Sequence, residues 1–190
     1  MDEQGGGVVR VVYPVIVIGP PRSGTSAVAR TLHNHLGVSM DGRPKKKDFR
    51  QSDGWFEDLR LVEANVLFFN KNISLAAWTR RFKRFIRARI KESGGVWGFK
   101  DPRMIRILRY ALTFFNGCLI VRCHMEKEKC TKSQVATLNW TQSYANDRYD
   151  ADERILSEQL KGIPHVCIDM TNYIPDKQLI SILENIQIAA

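Results

Sequence analysis

The sequence predicts an α/β fold, a three-layer sandwich with a mostly parallel central sheet. Three observations predict it. Four short apolar runs, at 12–19, 96–100, 118–122 and 165–170, alternate with longer amphipathic stretches. Strands separated by helices pair in parallel through right-handed crossovers. The runs are almost continuously apolar, as strands are when helices cover both faces of a sheet. The first run, Val15-Ile16-Val17-Ile18, ends in Gly19 and a turn, Pro20 to Ser26, before a helical pattern begins. The spacing Gly19-x4-Gly24 is that of a P-loop, so the sandwich is expected to be P-loop nucleoside-triphosphate-hydrolase-like.

Each element has its own signal. Val28, Leu32 and Leu36 fall on one face of a helix over 25–36. The stretch 38–54 is polar and irregular. Helices follow at 57–72 and 76–92, broken near Asn72, and Gly94-Gly95 makes a turn. Pro102, after the strand at 96–100, opens a helix to about Phe115. After the strand at 118–122, helices are expected at 126–144 and 150–161, the second stopped by Gly162 and Pro164. A last helix is expected at 175–186. The domain division that follows is a flexible lead at 1–10 and a single domain at 11–190. Within that domain, 38–95 forms a mainly helical insertion on the acceptor side, and its polar part is expected to act as a flap.

Composition narrows the function classes. The chain has 190 residues, 44% of them hydrophobic, enough for one domain with a sizeable core. No apolar run approaches 18 residues, so no membrane span is expected. The N-terminus, MDEQGGG, has neither the basic start nor the apolar run of a secretory signal. Its four cysteines form no C-x-x-C pair, so free thiols in a reducing, cytoplasmic setting are expected. The formal net charge of +9 suits an anionic ligand. Positive charge concentrates at 43–50 and along 80–91. In the second segment Phe82, Phe85, Ile86 and Ile90 recur at helical spacing opposite arginines and lysines. Such a helix either solvates its basic face or presents it to an acidic partner. No nucleic acid is expected as partner, and the oligomeric state is left open.

Ligands of open parallel sheets bind at the carboxyl ends of the strands. The first strand delivers the loop Pro21-Arg22-Ser23-Gly24-Thr25-Ser26. The second delivers Lys100-Asp101-Pro102-Arg103, the third Arg122-Cys123-His124, and the fourth Asp169 and Thr171. A Gly-bearing loop opening a helix turns backbone N–H groups and the helix dipole on an anion. Thr25 stands where an NTPase would carry its lysine, and the loop's cation is Arg22. Arg22, Lys100 and Arg122 at three strand ends would ring a ligand with several phosphates or sulfates.

These segments resemble the sulfotransferases, P-loop-fold enzymes that use 3′-phosphoadenosine 5′-phosphosulfate. PRSGTS after a strand, WFEDLRLVEAN, WGFKDPR and a strand ending in arginine carry the resemblance, which is closest to the microbial branch and covers about residues 12–135. It implies that Pro21, Arg22, Ser23, Gly24, Thr25 and Ser26 hold the 5′-phosphosulfate, with Arg22 near the bridging oxygen. It implies that Lys100 meets the transferred group. It implies that Arg122 and Ser133 grip the 3′-phosphate. The family places that serine eight residues after its arginine, whereas eight after Arg122 stands Cys130 and eight before Ser133 stands Met125. Either Arg122 reaches Ser133 across a longer turn, or Met125 has replaced the arginine.

In-line sulfuryl transfer asks chiefly for positioning and for positive charge where negative charge develops. An acceptor hydroxyl or amine also needs a base. The family's histidine, two residues after the lysine, is here Pro102. Glu57, which matches the microbial branch's glutamate, is the expected base; its alternative reading is a helix-opening residue that favours the dipole. Catalytic roles are therefore expected for Glu57, Lys100 and Arg22, with a small-molecule or glycan acceptor and no metal. Two other functions remain open from sequence: a small-molecule kinase using Mg-ATP, and a non-catalytic binder of nucleotides or polyanions.

Overall fold

The computed structural model describes residues 13–40, 56–172 and 174–185. The expected lead at 1–10 and most of the expected flap lie outside the described residues. Four strands, β1 (Val15–Ile18), β2 (Gly98–Lys100), β3 (Leu119–His124) and β4 (Val166–Asp169), form one parallel sheet in the order β2-β1-β3-β4. The chain leaves β1 first to one side and later to the other. The carboxyl end of β1 is thus a topological switch point, where open α/β sheets bind ligands.

Side chains of successive strand residues point to opposite faces. Val15, Val17, Val121, Cys123 and Ile168 pack with α1 (Thr25–His35) and α7 (Asp176–Asn185) into one core. Ile16, Ile18, Phe99 and Ile120 pack on the other side against α2 (Leu59–Phe69), α3 (Leu75–Ser93), α4 (Leu108–Leu112) and α6 (Gln142–Leu160). Helix, sheet, helix is the three-layer architecture that the sequence predicts. The second core is aromatic. Phe82 stacks on Trp78 at 4.7 Å and meets Phe99, Phe114 and Phe115 edge-on. The apolar stripe of α3 at Trp78, Phe82 and Phe85 therefore faces inward, Arg89 is buried beside it and donates to Ser39 Oγ at 3.0 Å, and Ile90, expected on the stripe, is exposed.

Three segments differ from expectation. Pro102–Arg106 is a 3₁₀ turn rather than the start of a long helix, because Asp101 caps it by accepting from the Arg103 N–H at 2.9 Å and Ile107 closes it at Met104. The helix expected at 126–144 is α5 (Lys127–Leu138) and stops at Asn139, which takes a left-handed φ of 56°. Asparagine tolerates that conformation better than most residues. Thr141 then caps α6, its hydroxyl accepting from the Tyr144 N–H at 3.3 Å. The helix expected to begin at 150 consequently begins at 142.

Candidate functional site

The β1–α1 loop is shaped by two residues with positive φ, Arg22 at 72° and Gly24 at 89°. Gly24 is also the N-cap of α1, which has no side-chain cap and no acidic residue in its first turn. The first N–H groups of a helix have no intrahelical partner, and the dipole makes that end attractive to anions. Ser23 is wholly buried, and its Oγ has no hydrogen-bond partner among the described residues. Gly19 leaves space that a Cβ would close, since that atom would lie 2.5 Å from both the Cys123 carbonyl oxygen and Ser23 Oγ. An orphaned buried hydroxyl beside an uncapped helix end fits a phosphate group.

Helix α5 clamps this loop from the carboxyl end of β3. Gln134 Nε2 donates to the Pro21 carbonyl at 2.8 Å, and Cys130 Sγ donates to the same oxygen at 3.3 Å. Burial, reinforced by the charge of Glu153, pushes the Cys130 thiol up to about 12. Arg22 Nε donates to Ser133 Oγ at 3.0 Å. Ser133 thus meets the loop arginine. Arg122 points elsewhere: its Nη2 donates to Glu153 and, at 3.5 Å, to Ser157, both on α6. In the register Arg122 stands beside Ile18, and Lys100 beside Val17. Lys100 and Arg122 therefore leave the sheet on opposite faces, and the structure does not gather Arg22, Lys100 and Arg122 into one ring.

Lys100 is joined instead to Glu57. Its Nζ donates to Glu57 Oε1 at 2.9 Å, with the lysine side chain 3% and the glutamate side chain 4% exposed. Arg103 Nη1 reaches the other oxygen at 3.3 Å and Asp101 Oδ1 at 2.6 Å. Asp101 Oδ2 accepts from Asn65 Nδ2 at 2.9 Å, and Asn65 Oδ1 accepts from the Trp78 indole at 2.8 Å. Burial pushes the Asp101 carboxyl up, against the opposing charge of Arg103. A continuous chain of hydrogen bonds thus runs from α3 through α2 to buried Asp101 and, by way of half-buried Arg103, to Glu57. Phe56, just before the glutamate, is held at a φ of 49°.

A cavity of about 360 Å³ joins the parts, lined by Pro21, Glu57, Pro102, Arg103, Leu138, Trp140 and Arg148. Half-buried Trp140 meets the more exposed Tyr144 edge-on at 4.9 Å. Sequence reasoning singled out the residues at both ends of this cavity but gave no role to Arg103 or Arg148. The signal for Arg148 was its spacing from Asp152, an (i, i+4) pair bonded at 2.8 Å. It was obscured by the misplaced helix break. Among the described residues no three or more of His, Cys, Asp and Glu gather as metal ligands. None of the described helices is long and apolar enough to cross a membrane.

No family model and no curated protein matches the sequence. Solved structures do match its fold. TT1252 from Thermus thermophilus superposes with a TM-score of 0.60 at 13% identity, over 92% of this chain and 97% of that one. The sulfotransferase domain of the Synechococcus PCC 7002 olefin synthase gives 0.57 at 13% identity, over 93% and 73%. The deoxyadenosine kinase of M. mycoides, solved with bound dATP, gives 0.51 at 9% identity, over 90% and 97%. The chain therefore has the P-loop α/β fold that sulfotransferase domains and nucleoside kinases share.

Proposed function

We propose that this protein is a sulfotransferase that moves a sulfuryl group from 3′-phosphoadenosine 5′-phosphosulfate to an acceptor hydroxyl or amine. One observation carries the reading: a single cavity reaches from the loop, at Pro21, to the buried Glu57 that is paired with Lys100. The Ser23 hydroxyl and the uncapped start of α1 would hold the 5′-phosphate oxygens. Arg22 and Ser133, already bonded to each other, would take the 3′-phosphate or the bridging region beside it. When bound, the donor would supply a sulfuryl group whose S–O bond to phosphate breaks as sulfur bonds to the acceptor oxygen or nitrogen.

Each cation has work in that arrangement. Negative charge grows on the departing phosphate oxygen, and a fixed cation lowers its cost where water is excluded. Lys100 ends the parallel strand beside β1, and its ammonium is held by Glu57, which shares a cavity with Pro21 of the loop. Both Glu57 oxygens accept from cations in this structure. Lys100 turning toward the transferred group releases Oε1 to accept the proton of the acceptor. Thr25 at the position of the NTPase lysine weighs against an ATP-dependent kinase.

The test is calorimetry with adenosine 3′,5′-bisphosphate and with Mg-ATP. The bisphosphate is expected to bind preferentially. Arg22→Ala is expected to weaken it by about tenfold, the scale of one charge-assisted hydrogen bond. Preference for Mg-ATP would overturn the reading in favour of a kinase. Equal, steeply salt-dependent binding of both, with no turnover, would favour a polyanion binder.

A further inference from the structure

We propose that the acceptor carries a fixed negative charge, held by Arg103, Arg106 and Arg148 where two cavities meet. The assignment of this ligand as acceptor rests on the sulfotransferase reading; the anion subsite itself rests on the geometry of the three arginines. A second cavity, of about 290 Å³, is lined by Val66, Phe69, Asn70, Arg103, Arg106 and Arg148. Arg103 and Arg148 also line the cavity that contains Glu57, so they form a shared wall.

The winding of the chain brings these cations together. Pro102–Arg106 is a 3₁₀ turn, and at three residues per turn side chains three apart eclipse. Arg103 and Arg106 therefore project to the same side. Helix α6, which begins earlier than its sequence suggests, carries Arg148 to them. The guanidinium carbon of Arg106 lies 5.9 Å from the centre of the Phe69 ring.

The donor inventory shows capacity to spare. Arg103 gives Nη1 to Asp101 and Glu57, and its Nε and Nη2 bond to no described residue. Arg148 gives Nε to Asp152, and its two terminal amino groups bond to no described residue. Arg106 makes no hydrogen bond or ion pair with any described residue. Buried Asp101 and Asp152 thus hold two of the arginines from behind and leave their outward donors for a ligand. Burial pushes the Asp152 carboxyl up, and Arg148 and then Arg106 pull it back, which places Arg106 within electrostatic reach of that carboxylate.

Arginine forks match carboxylate, sulfate ester and phosphate ester oxygens in pairs. Beside them Pro21, Pro102, Leu138 and Trp140 offer an apolar wall. The acceptor class is therefore a hydroxylated ring compound bearing a carboxylate or a phosphate or sulfate monoester, its hydroxyl at Glu57 and its anion at the arginines.

The test is calorimetry on the full chain with p-cresol, 4-hydroxyphenylacetate, 4-hydroxyphenyl phosphate and tyramine, each with and without adenosine 3′,5′-bisphosphate. At least one of the two anions is expected to bind roughly 10- to 100-fold more tightly than p-cresol, and tyramine more weakly than p-cresol. The stronger of the two anions identifies the preferred group. Arg106→Gln, at an exposed position, is expected to remove about tenfold of that advantage without changing bisphosphate affinity. The inference is overturned if neither anion binds, if p-cresol binds as well as both anions, or if the advantage survives in Arg106→Gln. Loss of bisphosphate binding alone, with the anion advantage present and Arg106-dependent, would sink the donor assignment while the subsite stands.

Discussion

Glu57 is the residue on which the proposed chemistry turns. It is buried, and both of its oxygens accept from cations. A buried pair that loses one partner leaves the other charge uncompensated, so its role in structure and its role in turnover must be measured apart. Glu57→Gln keeps the shape and can still accept from Lys100. We expect turnover to fall by roughly 10²-fold or more, the scale of general-base loss, with bisphosphate affinity within about twofold of wild type. Steady-state kinetics with parallel calorimetry checks this. Unchanged turnover would reduce Glu57 to a counter-ion for Lys100. Glu57 and Lys100 were legible in the sequence as site candidates, but their direct bond was not, because 43 residues separate them. The partner of Ser133 was illegible for a different reason. The family resemblance nominated Arg122, while the left-handed backbone of Arg22 turns the loop arginine onto α5.

At the scale of elements, the link from α3 to the 3₁₀ turn passes through one amide. Asn65 on α2 accepts from the Trp78 indole and donates to Asp101, which caps the 3₁₀ turn and holds Arg103. Asn65→Ala would strand a buried N–H and a buried carboxylate oxygen together. We expect a loss of about 2–5 kcal/mol in urea unfolding, with the denaturant slope unchanged. A loss below about 0.5 kcal/mol would show that water replaces the amide without cost. The helices themselves were legible where an apolar stripe repeats, as at α1 and α3. Their ends were less so. Asn139 reads as an ordinary helical residue until its backbone turns left-handed. Pro102 signals a helix start without specifying its pitch.

For the whole molecule, the sheet order places the loop, the Lys100 strand and α5 around one end of β1. A ligand bound there touches elements that pack into both cores, so it should stabilise the entire fold. With adenosine 3′,5′-bisphosphate at about 100 times its Kd, stabilisation of about 2.7 kcal/mol is expected. In a chain of this size that raises Tm by roughly 5–10 °C in scanning calorimetry. No shift would mean that the loop does not hold the nucleotide. The layered architecture was readable because four apolar runs alternate with amphipathic stretches, a pattern few folds accommodate. The wall shared by the two cavities was not, since it depends on how far each connecting segment winds before the next begins.

That winding has a consequence for how the chain could change. Rewound as an ordinary α-helix, the span from Arg103 to Arg106 would advance about 300° rather than a full circle, swinging one guanidinium some 60° out of line with the other. A single inserted residue would do worse still. The cap that Asp101 supplies to a turn of only five residues thus governs whether two positive groups act in concert, and a change of pitch there would alter selectivity while every charge in the chain stayed the same.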